Sequence, residues 1–260
     1  MLLGIDHLVI AVRDPDAAAR VLEQDLGLAF TGGGRHEAMG TFNRLAFLGD
    51  TYLELIGVFN RGLVLSSSTF AIGNAALAFL EDRGEGLATY ALATDDVAGD
   101  ASGLRAGGSP IGAPVAGSRT RPDGGVVRWA TAFPSLGSAE PPFLIEHEYA
   151  GAEWGEEARA ARAAFRHPVG GRVRVTALEL PVAEPAVTAA AYAKVLGLAF
   201  DPSGQATVGP HDIRLRPSAA TEDGLPVVHL ASEPRTRSLD LVRFGIRWVR
   251  ASSDAGDGPG

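Results

Sequence analysis

The sequence predicts an α+β protein built from repeated strand–helix–strand units, and two observations carry that prediction. The first is local. "IDHLVIAV" (5–12) alternates and is β-branched, as a strand requires, and "RDPDAAARVLEQDLGL" follows it with helical spacing. The second is a repeat. "DHLVIAVRDPDAAARVLEQDLGLAF" (6–30) lies without a gap over "TALELPVAEPAVTAAAYAKVLGLAF" (176–200). Leu8/Leu178, Val12/Val182, Pro15/Pro185 and the shared "LGLAF" coincide, so helix start and helix stop recur together.

The first helix has Asp14 as N-cap, Pro15 at its first position and Gly27 as its stop. Ala18, Val21, Leu22 and Leu26 give it one apolar face. "TGGG" (31–34) turns the chain, and "RLAFLGD" and "TYLELIGV" form a hairpin joined at Gly49-Asp50. A second unit begins with the strand "GLATYALATDD" (86–96) and the short helix "VAGDASGLRAGG". Its further strands are "GAPVAGSRTR", "GGVVRWATAF" and "PPFLIEHEY". The expected organisation is one domain over 1–150 (modules 1–83 and 84–150), a linker helix and loop over 151–171, and a degenerate third module over 172–249. The glycine- and acid-rich tail 250–260 is expected to be disordered.

Composition narrows the function. A net charge of −8 argues against nucleic acid as a partner, because phosphate binding needs basic patches. No apolar run approaches the roughly 18 residues of a membrane span, and the N-terminus lacks a basic leader region. The chain has no cysteine, which removes disulfides, thiolate catalysis and zinc–thiolate sites. A cytoplasmic location is expected. No P-loop, no G-x-G-x-x-G after a strand and no G-x-S-x-G is present, which counts against nucleotide and serine-hydrolase chemistry.

"GIDHLVIAV" with His7, "GRHEAMGTFNRLAFLGDTYLELI" with His36, Asn43, Arg44 and Glu54, "SRTRPDG" and "FLIEH" together resemble the glyoxalase-like family of the vicinal oxygen chelate superfamily. "HPVGG" (167–171) resembles that family's second junction, and the resemblance covers about residues 4–230. It implies paired βαβββ modules curling into an eight-stranded cup-shaped mixed sheet, with a partial third module at the C-terminus. It also implies a divalent metal (Mn, Fe, Mg, Ni or Zn, or none) on His7, Glu54 and Glu146. Thr89 stands at the fourth ligand position, where histidine is usual.

The residues have a chemistry of their own. Alternation places Ile5, His7, Val9 and Ala11 on one face of the first strand and Leu8, Ile10 and Val12 on the other. Glu54 shares the inner face with Tyr52 and Ile56, and Glu146 with Leu144 and Glu148, leaving His147 outside. An unpaired carboxylate in an apolar site costs several kcal/mol, so both acids call for water, a proton or a cation. Three roles stay open: metal ligands, a metal-free binding or protonating pocket, and a structural role. Arg44 either clamps a substrate carboxylate or pairs with Asp50, and His36 either transfers protons or shapes a turn. Arg119 and Arg121 either line the pocket or serve the "TRPDG" turn. His211 and His229 are expected at the surface.

The expected function is a metal-dependent isomerase or lyase acting on a small molecule with adjacent oxygens, with Glu146 and His36 catalytic. Asn43, Arg44, Thr89, Arg119 and Arg121 would bind substrate. The alternatives are a metal-free sequestration protein of the antibiotic-resistance type and a ring-cleaving dioxygenase. The partners expected are a small-molecule ligand and a second copy in a homodimer.

Overall fold

We describe a computed structural model over residues 1–66, 71–120, 124–134, 142–151, 153–218, 224–234 and 236–251. Arg121, most of the "TRPDG" turn and nearly all of the tail lie outside the described residues.

The first module runs β1 (Leu2–Ala11), α1 (Pro15–Leu26), β2 (Gly32–His36), β3 (Thr41–Leu48) and β4 (Thr51–Val58). Two helices follow, α2 (Arg61–Ser66) and α3 (Ala71–Asp82). The second module repeats the pattern as β5 (Gly86–Thr94), α4 (Val97–Ala106), β6 (Val115–Thr120), β7 (Val126–Ala132) and β8 (Phe143–His147). The strands form one eight-stranded sheet in the order β2-β3-β4-β1-β5-β8-β7-β6, a nearly closed cup. Each module has the same internal order, and the two meet where β1 runs antiparallel to β5. The α1 ends form as the sequence predicts: Asp14 accepts from the Asp16 and Ala17 amides, and Gly27 closes the helix at φ 66°.

After α5 (Glu156–Ala164), β9 (Arg172–Val182) and α6 (Pro185–Leu196) carry the repeated segment. Then come β10 (Gln205–Val208), β11 (His211–Pro217), β12 (Val227–Glu233), β13 (Leu239–Arg243) and β14 (Ile246–Arg250). They form a second sheet in the order β10-β11-β9-β12-β14-β13. Its pairings copy those of the cup: β12 lies antiparallel to β9 as β5 does to β1, and β14 parallel to β12 as β8 does to β5. The arginine-rich segment near the C-terminus is thus the β13–β14 hairpin.

Both sheets share one core. Leu8, Ile10, Leu22, Leu53, Leu55, Tyr90, Leu92 and Leu144 of the cup pack in one cluster with Val175, Leu178, Tyr192, Val195 and Trp248. These cup residues mark the helix side of the first sheet. Inside the cup, Val9, Ala11, Ile56, Ala88, Ala91, Phe143 and Ile145 form a separate cluster, and Ile72, Ala76 and Phe79 of α3 fill against it.

One feature departs from simple alternation. The β1–β5 register slips between Ile5 and His7, so Asp6 is an extra residue, a β-bulge. Ile5 therefore joins the helix-side core, not the inner face that strict alternation gave it.

His211 is another correction. It is buried, not at the surface, and its ring plugs the junction between sheets. Nδ1 accepts the Ile5 amide at 3.0 Å, and Nε2 lies 3.0 Å from Thr51 Oγ1, which donates to Ile5 O. Gly4, at φ +152°, makes room: a Cβ there would lie 2.7 Å from His211 Nδ1. His229 is half-buried against Glu179 at 3.0 Å.

Burial pushes the His211 imidazole down to about 4, below the ordinary histidine value of about 6.5. Between those values the unfolded chain binds a proton that the native protein refuses. Stability is therefore expected to fall as pH drops from about 6.5 towards 4, by up to roughly 3 kcal/mol from this group. Urea denaturation across that range should show a shallower pH dependence in His211→Asn, and an unchanged slope would refute the assignment.

Candidate functional site

The bulge decides what faces the cup. With Asp6 inserted, Asp6 and His7 both serve the inner side, and both are buried. His7 Nδ1 lies 2.6 Å from Asp6 Oδ1, while His147 Nε2 lies 3.1 and 3.0 Å from Asp6 Oδ1 and Oδ2. An ionised carboxylate only accepts, so both rings donate to Asp6. Burial alone would push the Asp6 carboxyl up. The His147 charge and the hydrogen bonds from both histidines outweigh it and hold Asp6 well below the usual carboxylate range.

This bonding assigns the proton on neutral His7 to Nδ1 and leaves the lone pair on Nε2. That atom is buried with no hydrogen-bond partner and stands 3.6 Å from Glu54 Oε2, too far for a hydrogen bond. Glu54 is in turn held at one oxygen, since Asn43 Nδ2 donates to Oε1 at 2.6 Å. Nδ1 of His7 and Oε1 of Glu54 are tied, and Nε2 and Oε2 face each other. Tyr52 stacks on the His7 ring with centroids 4.5 Å apart, and Phe143 meets it edge-on at 5.5 Å.

His36 sits at the rim, half-buried, with Nδ1 2.9 Å from Thr41 Oγ1. Burial lowers its pKa, opposed by the Glu54 charge and assisted by Arg119. Arg119, on β6, donates from Nη2 to both oxygens of Glu153 at 2.7 and 2.6 Å. Thr89 is buried opposite Val9 on the β1–β5 ladder.

Two expected site residues do not join them, and a third lies outside the described residues. Glu146, expected as a metal ligand and base, accepts the Val97 amide at 2.9 Å and thereby holds the start of α4 on the helix side. The inner face of β8 is Phe143, Ile145 and His147, so His147 is inside the cup and not outside it. Arg44 pairs with Asp16 of α1 at 2.5 Å, while Asp50 is taken by Arg159. Arg121 lies outside the described residues.

Strand register locates the module-two positions that correspond to His7 and Glu54. A slip at Ala88 in β5 mirrors the one at Asp6, so Thr89 corresponds to His7. Glu54 pairs with Val9, two residues after His7; the same step from Thr89 reaches Ala91, whose partner on β8 is Phe143. The two donor positions of module two are thus Thr89 and Phe143. The donors present, one imidazole nitrogen and one carboxylate oxygen, do not fit a protein-enclosed divalent ion. Among the described residues no group of three His, Cys, Asp or Glu is arranged to hold one.

Asp6 and His147 were missed by alternation. The available signal was an acid beside His7 inside an otherwise apolar strand. Replacing Asp6 by Asn leaves one imidazole donor without its acceptor and should destabilise the protein at pH 7 by about 3 kcal/mol. Because the native carboxyl titrates below the unfolded value of about 3.9, the difference from wild type should shrink as pH falls below about 4. Denaturant midpoints, with NMR of the imidazole nitrogens, test this; a neutral substitution would contradict the bridging role.

Comparison with known proteins agrees with the fold. The family model described as "Glyoxalase-like domain" matches residues 5–196. A crystal structure of a hypothetical protein from Staphylococcus aureus superposes with a TM-score of 0.78 at 15% identity, covering 96% of this chain and 99% of that one. Methylmalonyl-CoA epimerase from Mycobacterium tuberculosis is similar at a TM-score of 0.41 and 21% identity, covering 55% of this chain and 86% of its own. Comparison with curated proteins finds no match. No described helix is long and apolar enough to cross a membrane. With a family model spanning both cup modules and the fold matched along nearly its whole length, the chain belongs to the glyoxalase-like domain family.

Proposed function

We propose that the protein is a small-molecule isomerase or lyase in which Glu54 and His7 move a proton at carbon beside a carbonyl, without a resident metal. One observation supports this above others: Glu54 Oε2 and His7 Nε2 face each other across 3.6 Å while their companion atoms are held by Asn43 and Asp6. Carboxylate and imidazole are general acid–base groups, and fixing the far atom of each leaves the near atom aimed at substrate. A substrate group that approaches both atoms from one side would give His7 Nε2 the hydrogen-bond partner it lacks.

Glu54 is the base, because Asn43 occupies only one of its oxygens. His7 accepts a substrate proton or hydrogen bond at Nε2, steadied by the negative Asp6 behind it, and the protonated Glu54 returns to carbon the proton it took. His36, with its pKa lowered by burial, stands at the rim where a departing oxygen would need a hydrogen bond. The apolar wall of Val9, Ile56, Phe143 and Ile145 keeps water from competing.

The metal-dependent form of this chemistry requires donors that module two replaces with Thr89 and Phe143. Ring-cleaving dioxygenase chemistry wants two histidines and a carboxylate on one ion. His147 does face inward, but its Nε2 is engaged by Asp6 and its ring lies under Trp154 at 3.8 Å.

The test is proton exchange in D2O on hydroxyacetone, acetoin and 2-methylacetoacetate, followed by NMR after treatment with EDTA. Wild type should exchange at least one carbon-bound hydrogen, and Glu54→Gln should slow it by roughly a hundredfold or more. Exchange that returns only with added Mn²⁺ or Ni²⁺ would establish the metal-dependent alternative. Ligand binding without exchange, undiminished in Glu54→Gln, would make this a sequestration protein.

A further inference from the structure

Between its two modules the cup is filled by the chain itself. Trp154 is buried and stacks on His147, with further ring contacts to Tyr52 at 6.0 Å and Phe47 at 6.5 Å. Beside it Glu153 grips Arg119 through both oxygens, a pair only 11% and 13% exposed. Arg162 of α5 lies over the Trp154 ring at 4.5 Å and donates to Glu153 O. These residues belong to the connection between β8 and β9, not to the sheet that forms the cup.

The connection is tied to the rest of the protein at its two ends, where Glu148 N donates to Arg128 O and Val169 N to Gly27 O. Around Glu153 and Trp154 the backbone bonds are local, with Gly151 N donating to Glu148 O and Gly155 N to Gly151 O. A buried ion pair gains little stability over an apolar pair of the same size. An arginine on the inner face of a largely apolar cup therefore calls for a further reason. Tyr52, stacked on His7, feels Glu54, Glu153 and Arg119 together, which puts the pair in the same chamber as the proton-transfer dyad.

We propose that Glu153 and Trp154 are an internal occupant of the ligand chamber, and that the ligand carries a carboxylate which displaces Glu153 from Arg119. This rests on the cup being the ligand chamber. Arg119 Nη2 already holds both oxygens of a carboxylate, a contact that an incoming carboxylate can take over, and the space that the Trp154 ring fills, walled by Tyr52, Phe47 and His147, suits an unsaturated or aromatic body. A tether of a few residues from β8 gives Glu153 an effective concentration in about the millimolar range or above, so a free carboxylate competes at a disadvantage.

Isothermal titration of the full chain with benzoate, phenylacetate and malonate, and with benzamide as the uncharged control, tests the proposal. Glu153→Gln should bind at least one carboxylate roughly tenfold or more tightly than wild type, because its competitor is gone. Adding Arg119→Gln should abolish that gain, and benzamide should show none. Glu153→Asp, which keeps the charge but shortens the reach, should gain less in the same direction and serves if Glu153→Gln does not fold. Equal affinities in wild type and both Glu153 variants would overturn the proposal, as would a gain that survives Arg119→Gln. Binding needs no turnover, so absence of deuterium exchange would remove the isomerase reading and leave this one standing. Exchange that depends on Glu54, with no effect at Glu153, would do the reverse.

Discussion

The site depends on a single extra residue in a strand. Without the bulge at Asp6, strict alternation would send that carboxylate to the opposite side from His7, into an aliphatic layer holding Leu8 and Ile10. With it, one carboxylate serves two imidazoles that come from strands far apart in sequence, β1 and β8. A buried carboxylate without partners costs several kcal/mol, so bulge and histidines stabilise each other as a set. The same contact fixes the His7 ring and its proton, and so determines which nitrogen meets Glu54.

The two modules share a backbone and differ in what it carries. Both central strands contain the slip, at Asp6 and at Ala88, and both pair with their last strand in the same parallel sense. In module one the inward positions hold Asp6, His7 and Glu54. In module two they hold Ala88, Thr89 and Phe143, which fill space and offer one hydroxyl. A symmetric scaffold thus presents a one-sided site. The empty side takes apolar bulk: α3 packs against Ala88 and Ala91, and Trp154 covers His147. Proton transfer, the chemistry proposed above, suits such a one-sided site because it needs an acid and a base in reach and no closed coordination sphere.

Much of this was legible in the letters, and the losses have a common cause. The repeat, the capped helices and the module order follow from local signals such as Asp14, Pro15 and Gly27, which act within a turn of where they stand. Glu54 was legible too, because β4 alternates cleanly around it. Strand phase failed where a strand is apolar on both faces. Phe143, Leu144 and Ile145 are all buried, so hydropathy did not say which side Glu146 would take. Arg44 was open for the same reason, lying between Asn43 and Leu45 on the inner side, and its partner Asp16 sits on α1, across the sheet. A bulge leaves no hydropathy trace at all. The clue was chemical: Asp6 stands beside His7 in a strand whose other members are almost all aliphatic.

The C-terminal sheet shows what the same backbone does once freed from chemistry. Its copy of β1 places Ala177 where β1 has His7, and Ala177 is buried in the core of that sheet. At the head of β11, His211 accepts the Ile5 amide next to the bulge. Ile5 directly precedes Asp6, so the ring from the second sheet holds the residue at which β1 changes phase. The degenerate copy therefore acts on the site without reaching it. By fixing the backbone ahead of Asp6, it favours the one register in which an acid and a histidine from adjacent positions share a face.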